Sequence, residues 1–170
     1  MTNTEELTEQ TTAAQPGIDF RPAGYSTLTP FLCVDGAAAA IEFYTSVFGA
    51  SLISKMDGPD GTIAHAELQL EQGRLQLSDP MTDYGLAAHD GSAPATYSVA
   101  IYVPDCDAVV AAAERAGATV REAPSTFVTG DRFGSILDPF GVRWSVLTRV
   151  EQVSDSEAEQ RVKQWLASQG

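Results

Sequence analysis

The chain repeats its own outline once, and that duplication restricts the folds open to it more than any other feature. Val34-Asp35-Gly36, an Ala-rich stretch and Phe48-Gly49-Ala50-Ser51-Leu52 return as Val103-Pro104-Asp105, a second Ala-rich stretch and Ala116-Gly117-Ala118-Thr119-Val120. The valines lie 69 positions apart and the glycines 68, so two units of one size follow each other. Two long copies do not make a solenoid, which stacks several short repeats, but they suit a fold of two equivalent half-domains. At 170 residues and 44% apolar composition the chain is long enough for one domain with a substantial core.

Within the first unit, Leu28 to Val34 is a short apolar run containing Pro30, which reads as an edge strand because proline donates nothing to a ladder. Asp35 or Gly36 then opens a helix on which Ile41, Tyr44 and Phe48 form one stripe, and Gly49 supplies the left-handed stop. Ser51 to Met56 is allowed as a strand. Ala64 to Leu70 alternates, with Ala64, Ala66, Leu68 and Leu70 on one side and His65, Glu67 and Gln69 on the other. Gln72-Gly73 turns the chain into a further strand from Arg74 to Ser78.

Pro80 to Thr96 lacks periodicity and reads as the loop between the units. The second unit has an alternating strand from Tyr97 to Val103 and a helix capped by Asp105 or Asp107 that Gly117 ends. Strands near Thr119 to Glu122, Asp131 to Leu137 and Val142 to Thr148 follow, and Asp138-Pro139-Phe140-Gly141 turns between the last two. Ser154-Asp155-Ser156-Glu157 is a capping box, after which Ala158, Val162, Trp165 and Leu166 share a stripe, to cover either the home sheet or a second subunit. The organisation expected is a tail over 1–22, one domain over 23–150 built from units at about 25–80 and 96–150, and a C-terminal helix over 151–170.

A formal charge of −13 with ten Lys and Arg opposes binding to nucleic acid. The first twenty residues have neither a basic start nor an apolar run, and no segment approaches the ~20 apolar residues of a membrane span. The expectation is a cytoplasmic protein with no membrane or nucleic-acid partner. Cys33 and Cys106 are expected as buried thiols rather than a disulfide, and the carboxylates of Asp105 and Asp107 disfavour a thiolate at Cys106.

The run Leu28-Thr29-Pro30-Phe31-Leu32-Cys33-Val34-Asp35-Gly36, with Ala40-Ile41-Glu42-Phe43-Tyr44, Phe48-Gly49-Ala50, His65-Ala66-Glu67-Leu68 and Asp138-Pro139-Phe140-Gly141-Val142-Arg143-Trp144, resembles the PhnB-like branch of the glyoxalase/bleomycin resistance/extradiol dioxygenase superfamily, the vicinal oxygen chelate proteins. The resemblance runs from about Tyr25 to the terminal helix. It implies an α+β fold of two tandem βαβββ modules, an open barrel-like curved sheet around a cavity with a C-terminal helix added, and commonly a homodimer. In metal-using members it implies four His, Gln or Glu ligands that chelate a divalent ion. The corresponding positions here are Thr29, Ser98, Ser145 and Gln76 or its neighbour, a set without the usual metal ligands.

Several residues still offer chemistry. His65 and Glu67 share the strand face opposite the aliphatic row, about 7 Å apart along the chain, where an imidazole can exchange protons near neutral pH and a carboxylate can orient it; the alternative is a polar pair on a solvent or subunit surface. Asp131-Arg132 could bind a ligand carboxylate or phosphate, or hold its own loop as an internal ion pair. Tyr97, Tyr102, Phe133, Phe140 and Trp144 could wall a ligand or fill the core, and His89 reads as a solvated turn residue.

The ligand-binding set is therefore His65, Glu67, Gln76, Tyr102, Arg132 and Trp144, with His65 and Glu67 as the catalytic candidates and no metal or cofactor. The function expected is binding of a small, partly aromatic or apolar molecule in the cavity between the modules. The alternative is a glyoxalase-type lyase or isomerase whose divalent metal is held by an atypical set including His65, Glu67 and Gln76. Whether any reaction is catalysed stays open at this level.

Overall fold

A computed structural model describes residues 17–89 and 94–169. The expected tail up to residue 16 and the Asp90-Gly91 pair fall outside the described residues. The duplication becomes two modules of one topology. The first comprises β1 (Phe31–Cys33), α1 (Ala37–Phe48), β2 (Ser51–Asp57), β3 (Ile63–Gln69) and β4 (Arg74–Ser78); the second comprises β5 (Val99–Tyr102), α2 (Cys106–Arg115), β6 (Thr119–Thr126), β7 (Asp131–Leu137) and β8 (Arg143–Arg149). Each makes a four-stranded sheet, in orders β1-β4-β3-β2 and β5-β8-β7-β6. In both, the first strand runs parallel to the last, with Leu32 beside Leu77 and Ile101 beside Val146. The chain is an α+β protein of two βαβββ modules with curved, open sheets, completed by α3 (Asp155–Ser168).

β1 is shorter than the apolar run suggests because Pro30 lacks an N–H; its carbonyl still accepts from Gln76 N at 2.9 Å. α1 starts after Gly36, and neither Asp35 nor Gly36 caps it with a side chain. The cap comes from far along the chain: Asp79, just past β4, accepts from Gly36 N and Ala37 N at 3.0 and 2.9 Å and from Ile63 N at 2.7 Å. One carboxylate thus satisfies the orphan amides of the helix start and pins β3 to it. α2 is capped as expected by Asp105, which accepts from Ala108 N at 3.0 Å, while Thr148 of β8 accepts from Cys106 N.

Gly49 ends α1 in the left-handed region, φ 68°. Gly141 closes the turn after Asp138 at φ 84°, where a Cβ would stand 2.9 Å from the His89 carbonyl oxygen. His89 is therefore half-buried against this turn rather than the solvated residue expected. The capping box before α3 is half formed: Ser154 accepts from Glu157 N, but the Glu157 carboxylate turns to Arg161, which also grips Glu151. Trp165 meets Phe127 edge-on at 5.3 Å, so α3 covers its own second module on that side.

The helices lie on one face of each sheet and the modules meet along them. Tyr44 and Phe48 of α1 pack on Trp144 of β8 with ring centroids 5.4 and 4.7 Å apart, each such pair contributing roughly 0.5–1.5 kcal/mol beyond its area. At the centre is Asp138, 4% exposed, whose Oδ2 accepts from the Tyr44 hydroxyl at 2.8 Å and from Trp144 Nε1 at 2.9 Å while Oδ1 accepts from the amides of Phe140 and Val142. Four donors take the place of a counter-cation. Burial nevertheless pushes the Asp138 carboxyl above the usual range, and burial followed by that carboxylate pushes the Tyr44 phenol up. The other face of each sheet is left open, and the candidate site is there.

Candidate functional site

Strand alternation sends Ala66, Leu68, Leu75 and Leu77 into the helix-covered core, and their neighbours onto the opposite, inner face. The register aligns Phe31, Gln76 and Glu67 across β1, β4 and β3, and sets Met56 beside His65. His65 Nε2 stands 3.4 Å from Glu67 Oε1, and Gln76 Nε2 donates to the same oxygen at 3.3 Å. Three expected site residues are thus brought together.

Two further members went unread in the sequence. Arg74 Nη1 donates to Glu67 Oε2 at 3.0 Å, and its guanidinium lies 4.5 Å from the centroid of the Tyr25 ring. The Tyr25 hydroxyl in turn accepts from Gln76 Nε2 at 3.4 Å. Tyr25, then His65 and Gln76, hold the Glu67 carboxyl below the usual carboxylate range. The hairpin register, with Arg74 opposite Gln69, could have flagged Arg74; nothing local could have flagged Tyr25, which reaches the sheet 51 residues before Gln76.

Beside this cluster a cavity of about 640 Å³ opens between the inner face and the segment after β4. Phe31, His65, Pro59, Met81, Tyr84 and Leu86 line it, with Asp83 among the polar groups. The Phe31 and His65 rings lie 5.9 Å apart at the β1–β3 boundary, and Tyr84 is 80% exposed. The segment is shaped by a short turn over Thr82–Tyr84 and a bridge from Met81 to Leu86, local order where the sequence suggests only a loop.

The remaining expected residues are elsewhere. Tyr102 is 59% exposed and lies beside Leu147 on the inner face of the second sheet. Trp144 does not wall a cavity: it is 1% exposed in the core, because alternation along β8 points it at α1, and its indole N–H is spent on Asp138. Arg132 does not pair with its neighbour; both its Nε and Nη2 donate to Asp107 of α2, and Asp131 pairs instead with Arg149 at 2.8 Å. Successive strand residues point to opposite faces, so Asp131 and Arg132 have no common partner to hold. Cys33 and Cys106 are free thiols as expected, but only Cys106 is fully buried while Cys33 is half-buried; desolvation raises the pKa of each.

The four positions at which the resemblance implies metal ligands fall into two pairs. Thr29 and Gln76 share the wall of one surface hollow, and Ser98 Oγ lies 2.9 Å from Ser145 Oγ on the second inner face. Three neutral hydroxyls and one amide oxygen, with no imidazole or carboxylate among them, do not make a set that holds a chelated divalent ion. The nearby carboxylate, Glu67, already holds Arg74, whose charge opposes a second cation. Among the described residues no three His, Cys, Asp or Glu side chains converge into a metal-holding group, and no helix is long and apolar enough to cross a membrane.

Paired βαβββ modules with open inner faces define a class of small α+β proteins. Comparison with known proteins narrows it: residues 26–146 match the sequence profile of the Glyoxalase/Bleomycin resistance protein/Dioxygenase superfamily, and the chain belongs to that family. The uncharacterized protein Mb0911c of Mycobacterium bovis is 37% identical over 141 residues, covering 78% of this chain and 89% of its own. Among solved structures, an Arabidopsis thaliana gene product is 26% identical with a TM-score of 0.58, over 72% of this chain and 98% of that one. The PhnB protein of Bacillus cereus, 21% identical, shares the fold at a TM-score of 0.58 over 72% of this chain and 99% of its own.

Proposed function

We propose that this protein binds a small, partly aromatic or apolar molecule in the cavity on the inner face of its first module, without a chelated metal. The observation that carries the reading is the cavity itself. Its volume lies inside the ~300–1,000 Å³ range of small-molecule sites, its walls are mainly apolar, and a few polar groups, His65 and Asp83 among them, converge on it. Beside the cavity, Glu67 is paired with Arg74 and accepts from Gln76, which favours a fixed polar cluster over a proton-transferring pair. His65, 33% exposed in its side chain, remains available to hydrogen-bond a ligand.

Both inner faces are open to solvent in one chain, with Met56 at 63% and Tyr102 at 59% exposure. A homodimer that lays the second module of one chain over the first of its partner would enclose the cavity between modules, with Tyr102 on the opposite wall. Nothing in this reading needs nucleic acid or a membrane, and it is compatible with a cytoplasmic protein.

The test is a thermal-shift screen of the purified protein against divalent metals and against neutral aromatic compounds, since a ligand that prefers the native state raises its melting point. Stabilisation by aromatic compounds that is lost in Phe31→Ser supports the reading. Stabilisation by one stoichiometric divalent ion that is lost in His65→Ala contradicts it in favour of a glyoxalase-type, metal-dependent lyase or isomerase.

A further inference from the structure

We infer that the first-module cavity selects organic cations, that is, ammonium compounds carrying an aromatic or aliphatic body. The inference rests on the small-molecule reading above and adds the charge of the ligand. Among the described residues lining the cavity there is no Lys or Arg, and the one carboxylate side chain is Asp83. Asp83 forms no ion pair among the described residues, unlike Asp57, Asp107 and Asp131, which are held by Lys55, Arg132 and Arg149. It sits in the turn Thr82–Tyr84 directly before Tyr84, so an unneutralised carboxylate and an 80% exposed phenol ring flank the same opening.

An ammonium group beside Asp83 gains a Coulombic partner, and one over the Tyr84 or Phe31 ring face gains attraction to the negative face of the π-system. Its apolar body meets Pro59, Met81 and Leu86 on the cavity wall. The net charge of −13 adds a long-range field that draws cations toward the surface and turns anions away. A carboxylate or phosphate ligand would have to approach Asp83 with no lining cation to receive it. Arg74, on the first inner face, pairs with Glu67 and lies against the Tyr25 ring.

Isothermal titration of the full chain with three probes of one skeleton, 2-naphthylmethylammonium, 2-naphthylmethanol and 2-naphthoate, isolates the charge. At low salt the ammonium compound is expected to bind about tenfold more tightly than the alcohol, with naphthoate weakest, and the preference is expected to shrink as salt is raised. Asp83→Asn should bring the ammonium compound to within about threefold of the alcohol. Equal binding of alcohol and ammonium, or tighter binding of naphthoate, overturns the charge inference while leaving the small-molecule reading intact. So does a preference that neither salt nor Asp83→Asn reduces. Failure of all three probes to bind overturns both, and the salt series on the unaltered protein decides the matter even if the variant misfolds.

Discussion

Tyr44→Phe removes one oxygen from the junction of the modules and leaves everything else in place. The ring keeps its contacts with Phe48 at 5.9 Å and Trp144 at 5.4 Å, so the change isolates the 2.8 Å hydrogen bond to Asp138 Oδ2. A hydrogen bond to a charged group contributes about 1.5–3 kcal/mol net, and here its loss leaves a buried carboxylate with three donors instead of four, so a cost of about 2 kcal/mol is expected near pH 8. The cost must depend on pH. Burial raises the folded Asp138 pKa above the unfolded value of about 3.9, so whatever protonation of this group adds to stability is complete below that unfolded value and is lost as pH rises through the folded one. In the acid form Asp138 makes only neutral hydrogen bonds, each contributing about 1 kcal/mol, so the penalty of Tyr44→Phe should fall by roughly half as pH is lowered from 8 toward 4. Urea unfolding of both proteins across that range measures it. A penalty under ~0.5 kcal/mol near pH 8, or one that grows as pH falls, refutes the reasoning.

Gly141→Ala should destabilise the protein by about 1–3 kcal/mol, read as a lowered thermal midpoint, because the residue holds φ 84° and its Cβ would press on the His89 carbonyl. Because both thiols have raised pKa values, Cys33 and Cys106 should react slowly with a disulfide reagent near neutral pH, and rapid stoichiometric modification of either would contradict the described burial. Sedimentation should find a homodimer if partner modules close the inner faces; a monomer at all accessible concentrations removes that element. Elemental analysis of protein purified without chelators should find no stoichiometric divalent metal.

The fold was readable in the sequence because period and punctuation act locally. The β3 strand follows from alternation to within one residue at each end, the end of α1 from the left-handed stop at Gly49, and the twofold topology from the repeat itself. Resemblance supplied the class that the profile match then showed. The shortfalls came from distance and direction. Asp79 caps a helix more than forty residues before it, and Tyr25 reaches across the sheet to Gln76, so neither contact has a local signal. Trp144 and Arg132 were plausible site residues by type, but strand parity turns one into the core and the other toward α2. Asp83 and Tyr84 lay in a segment without periodicity, and only the turn and bridge that order it place them at a cavity mouth.

The account depends most on the first inner face being a ligand site. Amide chemical-shift mapping during titration with 2-naphthylmethanol addresses this directly. The expected result is a saturable set of shifts confined to Phe31, Ala64, His65, Met81, Tyr84 and Leu86, undisturbed by a chelator. Shifts that gather instead on the α3 groove around Val128 and Trp165, or that arise only after a divalent ion is added, would contradict it.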